Sequence, residues 1–294
     1  MAVTVPTGRS CDARPPFFFD CSDRSRLLVR DWFPVNTTAT ASSSPPKVIL
    51  VHGLGEHSGR YEHIGRALAA RGYWVRGYDQ YGHGQSSGAR GSLTRPYQLL
   101  EHLGEIANAT LRESPDLSDS LVLLGHSLGG LVVASTVMRE FAKPRLAILS
   151  SPALAVRMAP WQRAAVKVLP RIAPRLTLSN GLDPNMLSHD RKVVAEYLAD
   201  PLVHDRISAR LGAFVATEGE AVLAAASQWT TPTRVLYAGD DRAVDPSGSR
   251  RFADTAPSSI VKARCFQHMY HEIFNEPDRE RALTALETAL ADVA

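Results

Sequence analysis

Short apolar runs alternate along the chain with longer amphipathic segments, a pattern that predicts β-strands and α-helices in turn. Short apolar runs are typical of buried strands, whereas apolar residues spaced three and four apart form one face of a helix. The predicted strands span residues 17–19, 26–32, 48–51, 74–78, 121–124, 146–149, 233–237 and 260–266, and the predicted helices span residues 62–71, 97–113, 128–141 and 278–293.

Strands that alternate with helices predict an α/β fold with a mostly parallel central sheet and helices on both of its faces. The alternation stops at Ser151 and resumes at Thr233, and the roughly 80 residues between them are helical in character. An insertion at this point is expected to cover the carboxyl ends of the strands. We therefore predict a core formed by residues 1–151 and 231–294, and a helical cap at residues 152–230, inserted after the sixth strand.

The composition excludes several classes of protein. The net charge of +3 is small and the basic residues are scattered, so no nucleic-acid partner is expected. The chain has no apolar stretch of about 18 residues and no apolar signal-peptide core, so we expect a cytoplasmic protein that contacts membranes at most peripherally. The three cysteines favour a reduced chain, with a Cys11–Cys21 bridge as the alternative. The oligomeric state is left open.

A G-x-S-x-G motif directly follows one of the predicted strands. Residues 125–129 read Gly-His-Ser-Leu-Gly, between the strand at 121–124 and the start of a predicted helix. This context is that of a nucleophile elbow, a sharp turn that lifts the serine Oγ above the sheet. Gly125 and Gly129 suit the turn, because a Cβ at either position would crowd the strand and the helix. The motif predicts Ser127 as a nucleophile, the alternative being a glycine-rich turn with a capping serine.

A serine nucleophile needs a base that accepts its proton, and histidine is the usual base near neutral pH. Where a nucleophile elbow is present, the order along the chain is serine, acid and histidine, and the last two follow late strands. Of the ten histidines, only His268 and His271 follow the predicted strand at 233–237. The base is therefore one of these two residues.

The acid is expected just after that same strand. Asp240 and Asp241 lie closest to the end of the strand, and their spacing alone does not separate them. Asp245 precedes Pro246, so it is better explained as the N-cap of a helix that starts near Ser247.

Backbone N–H groups are expected to stabilise the negative charge that develops on the substrate carbonyl. One comes from Leu128, the residue after the nucleophile, and the other from Leu54 in the glycine-containing loop after the strand at 48–51. His52 in that loop is interpreted as structural. No metal is expected, because no carboxylate or cysteine frame accompanies the late histidines, and a dinucleotide fingerprint is absent.

Within the predicted cap, residues 161–172 have the pattern of a basic amphipathic helix, which Pro170 is expected to kink or end. Two interpretations of the apolar face are equally open. It either packs on the body of the protein or borders an acyl tunnel and touches lipid. The apolar face carries Trp161, Ala165, Val168, Leu169 and Ile172, and we take Trp161, Val168, Leu169 and Ile172 as candidate substrate contacts.

Five stretches of the chain resemble the signatures of one family, in the same order and spacing. They are residues 52–61 (HGLGEHSGRY), 78–86 (YDQYGHGQS), 125–130 (GHSLGG), 240–246 (DDRAVDP) and 270–272 (YHE). They are similar to those of the monoacylglycerol lipases and their lysophospholipase-like relatives, over residues 15–290. The first stretch is the most specific, because other α/β-hydrolases lack its Glu-His-Ser-Gly-Arg-Tyr continuation.

The resemblance implies the α/β-hydrolase fold and the hydrolysis of a single-chain lipid ester, a monoacylglycerol, to glycerol and a fatty acid without a cofactor. It implies Asp241 as the acid and His271 as the base for Ser127, and it supports Leu54 and Leu128 as the oxyanion donors. The cap is least determined by motif, and so is the substrate. A lysophospholipase and a short-chain carboxylesterase with the same triad remain alternatives. A non-catalytic binding protein is a further alternative, against which the intact Ser, Asp and His set argues.

Overall fold

The computed structural model describes residues 14–34, 46–113 and 121–292. Its strands are β1 (Phe17–Asp20), β2 (Arg26–Trp32), β3 (Lys47–Val51), β4 (Trp74–Tyr78), β5 (Leu121–His126), β6 (Leu146–Ser150), β7 (Thr177–Ser179), β8 (Arg206–Ser208), β9 (Thr233–Ala238) and β10 (Val261–Phe266). Its helices are α1 (Glu62–Ala69), α2 (Gln98–Arg112), α3 (Leu128–Met138), α4 (Pro160–Ile172), α5 (Arg191–Ala199), α6 (Ala209–Ala225), α7 (Pro246–Thr255) and α8 (Glu280–Ala291).

The central sheet of the described chain contains eight strands in the order β1-β2-β4-β3-β5-β6-β9-β10. The β1–β2 and β2–β4 pairs are antiparallel, and every later pair is parallel. This arrangement confirms the predicted α/β fold with a mostly parallel central sheet. The parallel strands point their carboxyl ends to the same side, where α/β proteins bind their ligands.

Both faces of the sheet are covered by apolar layers. Ile49 and Val51 of β3 pack into one layer, together with side chains of α2, α3 and α6. Val48 and Leu50 pack into the other layer, with side chains of α1 and α8. Because both faces are buried, residues 48–51 of β3 form an unbroken apolar run rather than an alternating one.

The segment between β6 and β9, residues 151–232, is called the inserted segment below. It contains α4, α5 and α6, as the helical prediction expected, but also a small antiparallel sheet of β7 and β8 that the prediction lacked. Strands of three residues are too short to show an alternating pattern, which explains the omission. Helix α6 packs against α3 and contributes Leu211, Phe214 and Val222 to the core. The cap boundaries at 152–230 stay a prediction.

The described residues bear on two predictions, the reduced state of the cysteines and the lack of a membrane-spanning helix. Cys21 and Cys265 are free thiols, whereas Cys11 lies outside the described residues. In the same ranges, every helix is too short or too polar to cross a bilayer.

Candidate active site

Ser127 occupies a strained turn between β5 and α3. Its backbone has φ of 55° and ψ of −118°, a left-handed conformation that costs free energy in a residue with a side chain. A Cβ on Gly125 would lie 2.2 Å from the Gly129 carbonyl oxygen, and one on Gly129 would lie 2.1 Å from that of Val51. The glycines therefore permit the close approach of strand, helix and β3 loop that raises Ser127 to the end of the sheet.

His271 and Asp241 form a buried pair near the same end of the sheet. Nδ1 of His271 lies 2.7 Å from Oδ2 of Asp241, and each residue is 3% exposed. Oδ1 of Asp241 accepts the N–H groups of Ala243 and Val244, at 2.9 and 3.0 Å. The carboxylate is thus held by its own loop, and its free edge faces the imidazole.

Each member of the pair stabilises the charged form of the other. Burial works against the charge on His271, but the charge and hydrogen bond of Asp241 outweigh it and raise the pKa of His271 above its usual value. Burial likewise opposes the charge on Asp241, but His271 and the two backbone donors lower the pKa of Asp241. Because the carboxylate accepts a hydrogen bond from Nδ1–H, Nε2 of neutral His271 is left with a lone pair that can take a proton.

The remaining candidates for acid and base lie elsewhere. The Asp240 carboxylate is 48% exposed and faces Arg242 at 3.4 Å. His268 is exposed, whereas His271 lines a cavity together with Ser127. Asp245 caps α7, as its position before proline indicates, and its side chain accepts the N–H of Ser247.

The loop after β3 lies against the elbow. A Cβ on Gly53 would come within 3.2 Å of the Ser127 Cβ. The N–H of Gly53 donates to Oε1 of Glu56 at 2.6 Å, so Leu54 carries the next backbone donor along the loop. Leu128 begins α3, where backbone N–H groups have no acceptor within the helix. Leu54 and Leu128 both line the cavity beside Ser127.

His52 supports this loop from behind. Nδ1 of His52 lies 2.7 Å from the carbonyl oxygen of Gly53, and Nε2 accepts the N–H of Gln80 at 2.9 Å. His52 is fully buried, and burial lowers its pKa, so the neutral ring can serve as donor at one nitrogen and acceptor at the other. This geometry agrees with the structural interpretation of His52.

A buried ionic group joins the loop after β3 to the loop that carries His271. The sequence predicted no individual role for its residues. Arg60 donates to Oε2 of Glu56 at 2.5 Å and to both oxygens of Glu272 at 2.7 and 2.8 Å. Burial opposes the charge of Glu56, but Arg60 and nearby histidines lower its pKa to about 2. Both glutamates line the cavity. The i,i+4 spacing of Glu56 and Arg60 was the available signal, but Glu272 lies 212 residues away from Arg60.

The cavity at the carboxyl ends of the parallel strands has a volume of about 540 Å³ and extends beneath the inserted segment. Its wall near Ser127 is polar, with His126, Glu56 and Glu272. Its far part is largely apolar, although Gln162, Asn180 and Asp183 also line it. The apolar part is lined by side chains of α4, of the β7–β8 sheet and of α6, including Val166, Leu169, Leu178, Ile207 and Val215.

The apolar face predicted for α4 is divided between the cavity and the solvent. Trp161 and Leu169 line the cavity, as do Ala165 and Val166. Val168 and Ile172 lie outside the lining and are 54% and 72% exposed, and Trp161 is 67% exposed. Successive helical residues rotate by about 100°, so one edge of the stripe faces the cavity while the other faces solvent. Pro170 lies in the last turn, and the helix ends two residues later at Ile172.

In the described part of the chain, one group of side chains of the types that can bind a metal lies away from this cavity. It consists of Cys21, Asp23 and His102. Oδ2 of Asp23 already accepts hydrogen bonds from Arg95 and Gln98 and lies 3.1 Å from Nε2 of His102. The arrangement holds the turn between β1 and β2 against α2, so its carboxylate is engaged in structure.

Comparison with known proteins places the chain in a family. The model of the family described as serine aminopeptidase, S33, matches residues 43–278. A monoacylglycerol lipase of Mycolicibacterium smegmatis is 33% identical over 239 residues, which cover 80% of this chain and 84% of the relative. An uncharacterized abhydrolase domain-containing protein of Dictyostelium discoideum is 35% identical over 90% of this chain, which spans only 27% of that longer protein.

Solved structures agree with the fold. The crystal structure of a monoacylglycerol lipase from Paleococcus ferrophilus superposes with a TM-score of 0.80 at 36% sequence identity. The superposition covers 91% of this chain and 99% of that one. The resemblance noted from the five sequence stretches is thereby confirmed. The chain belongs to the serine aminopeptidase S33 family and is a serine ester hydrolase with the α/β-hydrolase fold.

Proposed function

We propose that this protein hydrolyses monoacylglycerols to glycerol and free fatty acid, with Ser127, Asp241 and His271 as its catalytic triad. The observation that carries the proposal is the buried Asp241–His271 pair beside an elbow serine, at the polar end of a cavity whose remainder is largely apolar. An amphiphile with one acyl chain and a small polar head matches such a cavity.

The geometry supports a two-step acyl transfer. The Ser127 Oγ attacks the ester carbonyl while Nε2 of His271 takes its proton, and the Asp241 carboxylate stabilises the resulting imidazolium. The N–H groups of Leu54 and Leu128 hold the oxyanion. Collapse of the intermediate breaks the ester bond, and His271 delivers its proton to the departing glycerol oxygen. A water molecule, deprotonated by His271, then attacks the acyl-enzyme and releases the fatty acid, and the proton returns to Ser127.

The charge near Ser127 favours a neutral headgroup over a phosphodiester. Arg60 is shared between Glu56 and Glu272, and the pKa of each carboxyl is lowered, mainly by Arg60 against the effect of burial. Within this ionic group, two carboxylates and one guanidinium leave one negative charge in excess, whereas Arg157 and Arg242 of the same cavity are paired with Asp245 and Asp240. Glycerol hydroxyls can donate to a carboxylate, whereas a phosphate in the same place would be repelled.

The exposed edge of α4 supports docking on a lipid surface. Trp161, Val168 and Ile172 form an apolar strip on the outside of the helix that lines the cavity. Arg163, Lys167 and Arg171 are exposed on the same helix. An apolar strip flanked by basic residues is typical of a helix lying in a membrane interface. We name Trp161, Val168 and Ile172 the docking strip.

The substrate assignment is tested with a matched pair of lipids, 1-monooleoylglycerol and oleoyl lysophosphatidylcholine. We expect kcat/KM to be at least about tenfold higher for the glyceride, because only its headgroup avoids like-charge contact with the glutamates. A preference for the phospholipid would retain the triad and overturn the substrate. Turnover of short esters alone would identify a short-chain carboxylesterase. If neither esters nor a fluorophosphonate probe react at Ser127, the enzymatic assignment itself fails.

Docking is tested by placing a charge in the strip. Ile172→Glu is expected to weaken binding to vesicles of phosphatidylcholine and phosphatidylglycerol by about tenfold, because insertion of a carboxylate into the interface is unfavourable. Leu198 of α5 is 65% exposed against 72% for Ile172, so Leu198→Glu is the matched control. Co-sedimentation measures binding, and turnover of a water-soluble short ester checks that the site is intact. Equal binding of the two variants would remove the strip as the docking surface.

A further inference from the structure

A single buried carboxylate ties the loop that carries His271 to the inserted segment. Oε1 of Glu276 accepts the N–H of Tyr270 and the N–H of His189, each at 3.1 Å. Oε2 of Glu276 lies 2.9 Å from Nδ1 of His189. Glu276 is 3% exposed, and Tyr270 directly precedes His271. We name Glu276, His189 and Tyr270 the clasp.

Ring contacts extend the clasp toward the loop of the triad acid. The His189 ring stacks on Tyr270 with centroids 3.6 Å apart and an angle of 24° between the planes. The guanidinium of Arg242 lies 5.1 Å from the centroid of the Tyr270 ring, and Arg242 directly follows Asp241. The clasp therefore contacts the residues adjacent to both members of the Asp241–His271 pair.

The other side of His271 is held by the same part of the inserted segment. The N–H of Glu272 donates to the carbonyl oxygen of Leu187 at 2.8 Å, and the Ser188 hydroxyl donates to that of Asn275 at 2.9 Å. Leu187 also lines the cavity. The backbone on each side of His271 is thus hydrogen-bonded, through Glu276 on one side and directly on the other, to residues 187–189.

We propose that Glu276 is a positioning residue for ester hydrolysis, which acts by holding His271 in register with Ser127. This inference rests on the proposed triad. Glu276 is absent from the described residues that line the cavity, so it acts through Tyr270 and His189 rather than on substrate. Proton transfer between serine, histidine and the leaving group is sensitive to displacements of about 1 Å, so loosening the histidine loop affects the chemical step more than binding.

Removal of the carboxylate tests the proposal. In Glu276→Ala, all three contacts are lost, and we expect kcat for monooleoylglycerol to fall about 10- to 100-fold while KM changes by less than about twofold. Glu276→Gln keeps an oxygen that accepts both backbone N–H groups, and its amide can donate to neutral His189, so kcat should recover to within about threefold of the wild type. A split between kcat and KM, together with this rescue, is not expected from a general loss of packing.

Controls separate this inference from the proposed triad and from misfolding. Asp278→Ala removes an exposed carboxylate two residues further along the chain and should leave kcat unchanged. The concentration of active sites is titrated with a fluorophosphonate at complete reaction, and the melting temperature is recorded. If Glu276→Ala does not fold, His189→Ala, at a side chain 43% exposed, is the substitute and should lower kcat about 3- to 10-fold.

The outcomes are distinct. Wild-type kcat in folded Glu276→Ala, or in His189→Ala where that substitute is needed, overturns the positioning role. A rise in KM with unchanged kcat does so as well, because the clasp would then act on binding. If Ser127→Ala retains full activity in the same assay, the proposed triad fails, whatever the clasp variants do.

Discussion

Replacement of Ser127 by alanine is expected to lower kcat for monooleoylglycerol by about 10⁶-fold, as removal of a triad nucleophile does in other serine hydrolases. The change deletes one oxygen at the end of β5 and leaves the strained backbone of the elbow as it is. We therefore expect the melting temperature to change little. Steady-state kinetics measures the effect. The active sites of the wild type are counted by fluorophosphonate labelling.

A second buried serine provides the matched control for this prediction. Ser135 lies on α3, is fully buried, and its Oγ has no hydrogen-bond partner within the described residues. Ser135→Ala should retain kcat to within about twofold. The Ser135 side chain is buried and does not line the cavity, so it contributes only to packing. A loss of less than about tenfold in Ser127→Ala would place the nucleophile elsewhere.

Asp241→Asn is expected to lower kcat by about 10⁴-fold, whereas Asp240→Asn should change it by less than about twofold. Asparagine keeps an oxygen for the N–H groups of Ala243 and Val244, so the loop is retained. Its neutral amide, however, lacks the negative charge that stabilises the imidazolium. Where the amide NH2 faces Nδ1 of His271, it also selects the wrong tautomer. Asp240 faces Arg242 on the surface, where an ion pair contributes little.

The pH dependence supplies a second measurement on the same pair of variants. His271 must be neutral to accept the serine proton, and Asp241 raises its pKa, against the opposing effect of burial. The acidic limb of the kcat/KM profile should therefore lie above the ordinary histidine value of 6.5 in the wild type. Without the carboxylate, burial dominates, so the limb of the residual Asp241→Asn activity should move to lower pH. Equal kcat values and equal limbs in Asp240→Asn and Asp241→Asn would mean that another residue is the acid.

Features that depend on neighbouring residues were predictable from the sequence. The apolar runs of β3, β5 and β6 identify strands buried on both faces, and the Gly-His-Ser-Leu-Gly stretch identifies the elbow because the chemistry of a tight turn is local. Chain order reduced ten histidines to two and the acids to a neighbouring pair. Only the resemblance to the monoacylglycerol lipases distinguished Asp241 and His271 within these sets.

Which of two adjacent side chains reaches the site is a property of the tertiary structure. Asp240 and Asp241 are one position apart, and which of them faces His271 depends on the path of the loop after β9. Likewise, the apolar residues of α4 share one stripe in sequence, but the position of the cavity determines that Leu169 lines it and Ile172 faces solvent. A periodic pattern gives the apolar side of a helix but not what that side touches.

The sequence by itself determined the sheet, the elbow and the chemical class of the site, because strand patterns, turn residues and motif order are encoded over short distances. Tertiary structure decided how the site is held together. Glu272 meets Arg60 across 212 residues, and Glu276 meets His189 across 87. Such pairs leave no periodic signal in either segment, since each partner acquires its role only when the packed sheet and the inserted segment bring the two side chains into hydrogen-bonding distance.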